Sequence, residues 1–339
     1  MRAPARVTAL AGGTGAAKLL RGISGCIPAR QLTVIGNTGD DVEVWGLHVS
    51  PDLDTVMYAF SGCLDTTRGW GRRDETFRCL DAVGRLGGDT WFQLGDGDLA
   101  THLVRTRALR EGRPLSQVTE ALARCLDVSA RILPMTDDPV RTRVRTPGGW
   151  LGFQEFFVRD RAKVEALDVE YHGAAAAIAG PGVLEAIGQA EVVVICPSNP
   201  VTSIGPILAV PGIVAALSER RGPTVAVSPI IAGAAVSGPA GPLMRARGLP
   251  VSPLGVAQAY GPWLHTLVID AADVYLVPDL QARGITAVVA DIVMSDAASE
   301  IALAQVVLAA ASADVGRDAT ARRPPPTRDT SAPRRPPDT

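Results

Sequence analysis

The chain has 339 residues, 47% of them hydrophobic and 20% charged, and a net charge of −2. This describes a soluble globular protein with ample material for one large or two small cores, and it supplies no global field toward nucleic acid or an anionic membrane. Five scattered cysteines form no C-x-x-C pair, which argues against a zinc site and for reduced thiols.

The N-terminus runs directly into an apolar segment without a signal-peptide core, and no stretch approaches the ~18 uninterrupted apolar residues of a membrane span. A cytoplasmic location is expected. Val7–Ala11 reads as a short buried strand ending in glycines, followed by a helix from about Ala16 to Ile23 and a second buried strand at Leu32–Gly36. Strand, glycine turn, helix and strand make a βαβ unit, hence a parallel sheet. Between residues 55 and 130 the pattern turns helical; Ser116 is the expected N-cap of a helix whose Val118, Ala121, Leu122 and Cys125 share one face. Strand candidates return at Phe153–Val158, Val192–Cys196, Val225–Val227, Val274–Val277 and Ala287–Val289, and Asp296–Ala311 reads as a last helix. After about Asp314 the chain is rich in Pro and Arg and reads as a disordered tail.

The expected fold is therefore α/β, with a Rossmann-like, mostly parallel sheet formed by residues 1–55 and 131–313. A mainly helical insertion would span 56–130, and the disordered tail 314–339.

The chemistry concentrates early. Gly12-Gly13-Thr14-Gly15 follows the first strand, and such a turn offers backbone N–H groups to phosphate oxygens. Asn37-Thr38-Gly39-Asp40-Asp41 and Pro51-Asp52-Leu53-Asp54-Thr55 then bring four carboxylates within fifteen residues, hard oxygen ligands suited to Mg²⁺. Together they point to an enzyme acting on a phosphate-containing substrate with a divalent metal. Isolated Asp-rich loops, by contrast, are often only solvated turns.

Common nucleotide motifs do not fit. Lys18 follows Ala17 with no Ser or Thr after it, unlike a Walker A loop. Lys18 also replaces the small third residue of the dinucleotide fingerprint, against an oxidoreductase. Lys18 either points at a phosphate from the first helix or is a solvated helix lysine.

The chain resembles the 2-phospho-L-lactate transferases and their phosphoenolpyruvate-using relatives, enzymes of coenzyme F-420 biosynthesis. The resemblance rests on the two acidic segments and on Gly46-Leu47-His48-Val49-Ser50, Arg68-Gly69-Trp70-Gly71 and Asp98-Leu99-Ala100-Thr101-His102-Leu103. It continues through Leu133-Pro134-Met135-Thr136-Asp137-Asp138, Pro197-Ser198-Asn199-Pro200 and Ser228-Pro229-Ile230-Ile231-Ala232-Gly233. It implies transfer of a phospho-2-hydroxyacyl group from a guanosine diphosphate ester to the terminal ribityl hydroxyl of Fo, a deazariboflavin, with release of GMP. Mg²⁺ is the implied metal, held by Asp40, Asp41 and Asp54, and a homodimer is expected.

On this reading Asp54 and Asp40 are catalytic, Asp54 contacting the ribityl end. Gly12, Gly13, Thr14, Gly15 and Lys18 cradle donor phosphates. Asn37, Thr38, Asp52 and Thr55 bind substrate, and Asn199 and Ser203 serve the guanosine side. His102, one helical turn from Asp98, is a site residue or a capped structural histidine. Trp45, Trp70 and Trp91 stack on the deazaflavin or pack in the core. Asp137 and Asp138 make a turn or a second polar cluster. One departure stands out: Gly97 occupies a position where the family is expected to carry arginine, and Arg105 or Arg107 is the expected substitute. The competing function is a nucleotide-sugar-binding regulatory protein of related fold, against which the Pro-Asp-Leu-Asp-Thr segment argues.

Overall fold

The computed structural model describes Pro4 and Arg6–Ala321, with side chains through Ser312. In chain order the first elements are β1 (Val7–Ala11), α1 (Gly13–Cys26), β2 (Leu32–Gly36), β3 (Val42–Val44), β4 (Leu47–Val49), α2 (Pro51–Phe60), α3 (Arg78–Arg85), α4 (Asp96–Arg110) and α5 (Leu115–Cys125). Then come β5 (Arg131–Pro134), β6 (Arg141–Thr146), β7 (Gly149–Gly152), β8 (Asp168–His172), α6 (Val183–Gln189), β9 (Val192–Ile195), α7 (Gly205–Ala209), α8 (Ile213–Glu219) and β10 (Thr224–Val227). The chain closes with β11 (Ile230–Ile231), β12 (Ala234–Ala235), α9 (Ala240–Ala246), α10 (Pro253–Tyr260), β13 (Thr266–Ile269), α11 (Val277–Ala282), β14 (Thr286–Val289) and α12 (Ala297–Ala321). Residues 314–321, expected to open the disordered tail, continue α12 instead, and from Arg322 onward the expected tail lies outside the described residues.

A seven-stranded sheet runs in the order β14-β13-β10-β9-β1-β2-β5, and every neighbouring pair is parallel. The expected α/β class holds. Its strands are apolar on both faces, as a parallel sheet covered by helices on each side requires. Leu10, Ile35 and Ile195 point into one core under α6–α11; Ala9, Val34 and Val194 point into the other, against α1, α2, α5 and α12. Helix α1 meets α12 so closely that a Cβ on Gly22 would lie 2.1 Å from the Glu300 carbonyl.

The helical stretch α2–α5 forms the crossover between the adjacent strands β2 and β5. A second excursion, the antiparallel sheet β7-β6-β8, sits between β5 and β9 and had no counterpart in the sequence reading.

Two expected strands are helical instead. Phe153–Val158 belongs to a wide helical turn, Glu155–Arg159, where Glu155 accepts from the Gly152 amide and Phe156 is buried while Phe157 is exposed. Val274–Val277 lies in helical turns opened by Asp270, whose carboxylate accepts from the Ala272 amide; the sheet strand is β13 instead. Ser116 is inside α5, whose N-cap is Pro114, because Asp137 takes both the Ser116 amide and hydroxyl.

Among the described residues no single helix is long and apolar enough to cross a membrane. The bent pair Pro200–Ala209 and Ile213–Glu219 meets that test only jointly, with an 87° bend, and its Ile204, Ile207, Ile213 and Leu217 are core residues.

Candidate active site

Strand β1 is the point where the sheet reverses its order: β2 and β5 follow to one side, β9, β10, β13 and β14 to the other. In open parallel sheets, ligands bind at the carboxyl ends of the strands at such a switch point. Here the loops after β1 and β9 meet. The Gly12 amide donates to the Ser198 hydroxyl at 3.3 Å, and a Cβ on Gly15 would fall 2.4 Å from the Pro197 carbonyl. Above them opens a cavity of about 820 Å³.

Its floor is the expected glycine turn. Gly12, Gly13, Thr14, Gly15 and Lys18 all line the cavity, together with Asn199 and Ser203 from the β9 side. The first amides of α1 have no intrahelical acceptors. One of them is already used: the Gly13 amide donates to Asp52 at 2.7 Å. Thr14 and Gly15 are the remaining donors of that turn. Lys18 Nζ donates to the Met294 carbonyl at 2.8 Å while facing the cavity. Asn199 accepts from the Val201 and Thr202 amides and so shapes the turn that carries Ser203.

One wall is acidic, and its carboxylates part ways. Asp40, Asp52 and Asp54 line the cavity, as does Thr55, whose hydroxyl donates to the Pro51 carbonyl. Asp52 is bound by the Gly13 amide and by Asn37 Nδ2 at 2.8 Å. Asn37 also donates to the Thr202 carbonyl and accepts from the Gly39 amide, so it ties β2, α2 and the β9 loop together from behind the cavity. Thr38 is likewise buried behind the wall. Burial, then the neighbouring Asp52 charge, raise the Asp40 carboxyl well above its usual range, and burial pushes Asp52 up to about 6. Asp40 Oδ1 is buried and has no partner.

The expected metal trio is not assembled: among the described residues no group of three His, Cys, Asp or Glu side chains is arranged to hold a metal ion. Asp41 turns from the cavity to accept from Ser50 Oγ at 2.9 Å and to pair with His48 at 2.8 Å. Asp54 is bound through both oxygens by the Arg105 guanidinium. Asp40 and Asp52 are the carboxylates whose setting fits a hard divalent cation, for Asp40 has an unused buried oxygen and both carry the cost of crowded negative charge.

Arg105 corrects the sequence reading. It is fully buried and spent on Asp54 and His102, so it presents nothing to an acceptor. Arg107 lies exposed beside Glu111. At Gly97 the space is taken by Glu75, whose carboxylate accepts from the Gly97 and Asp98 amides at 2.6 and 2.8 Å and caps α4. The cavity-lining arginines are Arg68, stacked over Trp70 and Phe77, and Arg161. Arg68 is held by Asp65, and its loop docks where the Thr14 hydroxyl donates to the Gly69 carbonyl. The Arg-Gly-Trp-Gly segment was visible in the sequence, but nothing there said that the arginine faced a cavity.

His102 lines the cavity between Asp98 and Asp54. Burial opposes the Asp98 charge, but His102, Tyr58 and Arg105 outweigh it and hold that carboxyl below its usual range. Tyr58 donates to Asp98 at 2.7 Å, and burial with the Asp54 and Asp98 charges pushes its hydroxyl well up. Trp70 and Trp91 line the cavity beside Phe92, whereas Trp45 packs outside it and donates to the Asp89 carbonyl. Asp137 and Asp138 are structural, Asp138 accepting from the Ile178 amide.

A glycine-turn floor at a switch point, an acidic wall and an aromatic arm meet in one cavity of an α/β protein. The chain belongs to the family described as 2-phospho-L-lactate transferase CofD, whose model matches residues 7–309, a transferase family of coenzyme F-420 biosynthesis. It is 46% identical over 309 residues to a phosphoenolpyruvate transferase of Streptomyces griseus, covering 89% of this chain and 97% of the relative. It is 42% identical over 299 residues to a 2-phospho-L-lactate transferase of Methanosarcina mazei, covering 88% and 98%. The crystal structure of a UPF0052-family protein from Bacillus halodurans shares the fold, with a TM-score of 0.62 at 17% identity over 91% of this chain and 99% of that one.

Proposed function

We propose that this enzyme transfers a phospho-2-hydroxyacyl group from its guanosine diphosphate ester to the ribityl hydroxyl of Fo, releasing GMP. The observation that carries the reading is that one cavity joins the α1 amides and Lys18, the Asp40–Asp54 wall and the arm of Arg68, Trp70, Trp91 and Phe92. The first suits phosphates, the last a deazaflavin ring, and the acidic wall lies where the two substrates meet.

In this reading Thr14, Gly15 and Lys18 hold the donor phosphates, and Asn199 and Ser203 face its guanosine side. Asp54 accepts a hydrogen bond from the attacking hydroxyl. The new oxygen–phosphorus bond forms as the bond to the GMP oxygen breaks, and the hydroxyl proton leaves along its hydrogen bond to Asp54. Little covalent help is needed; alignment and charge neutralisation do most of the work. Asp40 and Asp52 would hold Mg²⁺, which supplies charge neutralisation at the phosphates when bound. The enzyme works in the cytoplasm as a homodimer, without nucleic acid or membrane; light scattering of the purified protein measures the dimer.

The test is product analysis by mass spectrometry of the protein with Fo, Mg²⁺ and the guanosine diphosphate ester of phospholactate, phosphoenolpyruvate or phosphoglycerate, with and without EDTA. GMP and a phosphodiester-linked deazaflavin formed only with metal are expected, and the fastest donor identifies the acid. A folded protein that yields no product with any donor overturns the reading.

A further inference from the structure

Among the described residues Arg105 is the largest fully buried side chain, and it reaches Asp54 and His102 of the cavity wall without lining the cavity itself. A guanidinium only donates hydrogen bonds. Two of its nitrogens grip the two oxygens of Asp54, with Nη1 at 3.0 Å from Oδ2, and the same Nη1 lies 3.2 Å from His102 Nδ1. His102 Nδ1 must therefore be the accepting nitrogen, and the ring proton is left on Nε2. That nitrogen is buried 3.2 Å from Asp98 Oδ1 without a hydrogen-bond partner among the described residues, and Tyr58 donates to the same oxygen. One buried cation thus sets the plane of Asp54 and the tautomer of His102. Asp54, His102, Asp98 and Tyr58 all line the cavity, while Arg105 does not.

We infer that Arg105 is the positioning residue of the transfer reaction, aiming the cavity-facing edge of Asp54 at the acceptor hydroxyl and locking His102 as its Nε2–H tautomer. The catalytic half of this inference rests on the proposed transferase reading; the tautomer half does not. A misaimed Asp54 still permits the ring and the phosphates to bind, so the loss falls on kcat and leaves the KM for Fo nearly unchanged. Displacements near 1 Å at such a group cost on the order of 100-fold in rate.

The experiment compares wild type, Arg105→Lys, Arg105→Met, Asp54→Asn and the Asp54→Asn/Arg105→Met double variant, each checked for folding by circular dichroism. With only four histidines in the chain, the ¹⁵N shifts of the His102 ring are assignable by its own substitution. Wild type shows a single Nε2–H pattern, and Arg105→Met shifts toward a tautomer average. In transfer assays Arg105→Met loses about 100-fold in kcat. Arg105→Lys, which keeps the charge but not the planar fork, recovers part of it. The double variant is no slower than Asp54→Asn, because Arg105 acts through Asp54. An unchanged His102 pattern in Arg105→Met, or rate losses that multiply in the double variant, overturns the inference. Should Arg105→Met fail to fold, Arg105→Lys carries both readouts, and a wild-type His102 pattern with wild-type kcat overturns it. If no variant, wild type included, transfers anything while the His102 pattern responds to Arg105, the clamp stands and the transferase reading falls.

Discussion

The cavity has two walls made on opposite principles. On the β1–β9 side the contact surface is largely backbone: glycine amides at a helix start, a serine, an asparagine that folds its own loop. On the α2–α4 side it is carboxyl side chains with a buried cation behind them. A wall for an anionic ligand needs donors fixed by the fold, and the backbone supplies these without bringing charge of its own. A wall of carboxylates must carry the cost of its own burial, and here Arg105, Asn37 and the Gly13 amide offset it.

Removing the offset is the harshest way to break that contrast. Arg105→Met leaves Asp54 buried and unpaired, and such a loss costs about 3–5 kcal/mol. Chemical denaturation should show it as a lower midpoint, and Asp54→Asn/Arg105→Met should recover part of the loss. A midpoint within about 0.5 kcal/mol of wild type would mean that Asp54 does not depend on Arg105.

The next largest effect is on pH. The Asp52 carboxyl rises from 3.8 to about 6 on folding, chiefly through burial, so the folded state binds the extra proton in that window. Stability from this group is therefore complete below pH 3.8 and is lost as pH climbs through about 6, on the order of 3 kcal/mol. Asp40 acts in the same direction. Urea melts of the metal-free protein between pH 4 and 8 should show Asp52→Asn flattening this slope. A slope equal to wild type would show that the carboxyl is more solvated than its burial implies. The backbone wall carries no carboxylate of its own and predicts no such dependence.

That wall breaks by crowding instead. In Gly15→Ala the new Cβ would lie 2.4 Å from the Pro197 carbonyl, so the β1 and β9 loops must separate. Overpacking of this kind costs about 1–3 kcal/mol, and the KM for the donor should rise more than the KM for Fo. Equal effects on both substrates would mean that the glycine turn serves the whole cavity.

The two walls also differed in how far the sequence disclosed them. Strands β1 and β2, the glycine turn and its place at the head of a parallel sheet were legible, because hydrophobic runs and glycine spacing are local signals. The acidic wall was legible only as composition. Asp40-Asp41 and Asp52-x-Asp54 read alike, yet one carboxylate lines the cavity with an unpartnered oxygen buried behind, one supports Ser50 and His48, one caps α1 and one is held by Arg105. The fate of Asp54 depends on α4, 51 residues away in the Arg105 contact, and no local pattern carries that distance. The β6–β8 excursion was missed for another reason: its strands carry Arg and Glu on an open face, which a search for apolar runs passes over.

The smallest effect tests whether the aromatic arm belongs to the charged wall or stands apart. Arg68 stacks on Trp70 and Phe77 and pairs with Asp65, while its loop is pinned to Thr14 on the backbone wall. It touches neither Asp54 nor Arg105. If the arm serves only to hold a ring, Arg68→Ala removes a cation from the stack worth about 0.5–2 kcal/mol, and the KM for Fo rises roughly 2- to 30-fold by the same range. The kcat should stay near wild type, since Asp54 and its clamp are undisturbed. Arg68→Lys should recover little, because an ammonium cannot lie flat on the indole as a guanidinium does. A fall in kcat with an unchanged KM would join Arg68 to the acidic wall and its work at the reacting phosphate, and would leave Trp70, Trp91 and Phe92 alone to hold the ring.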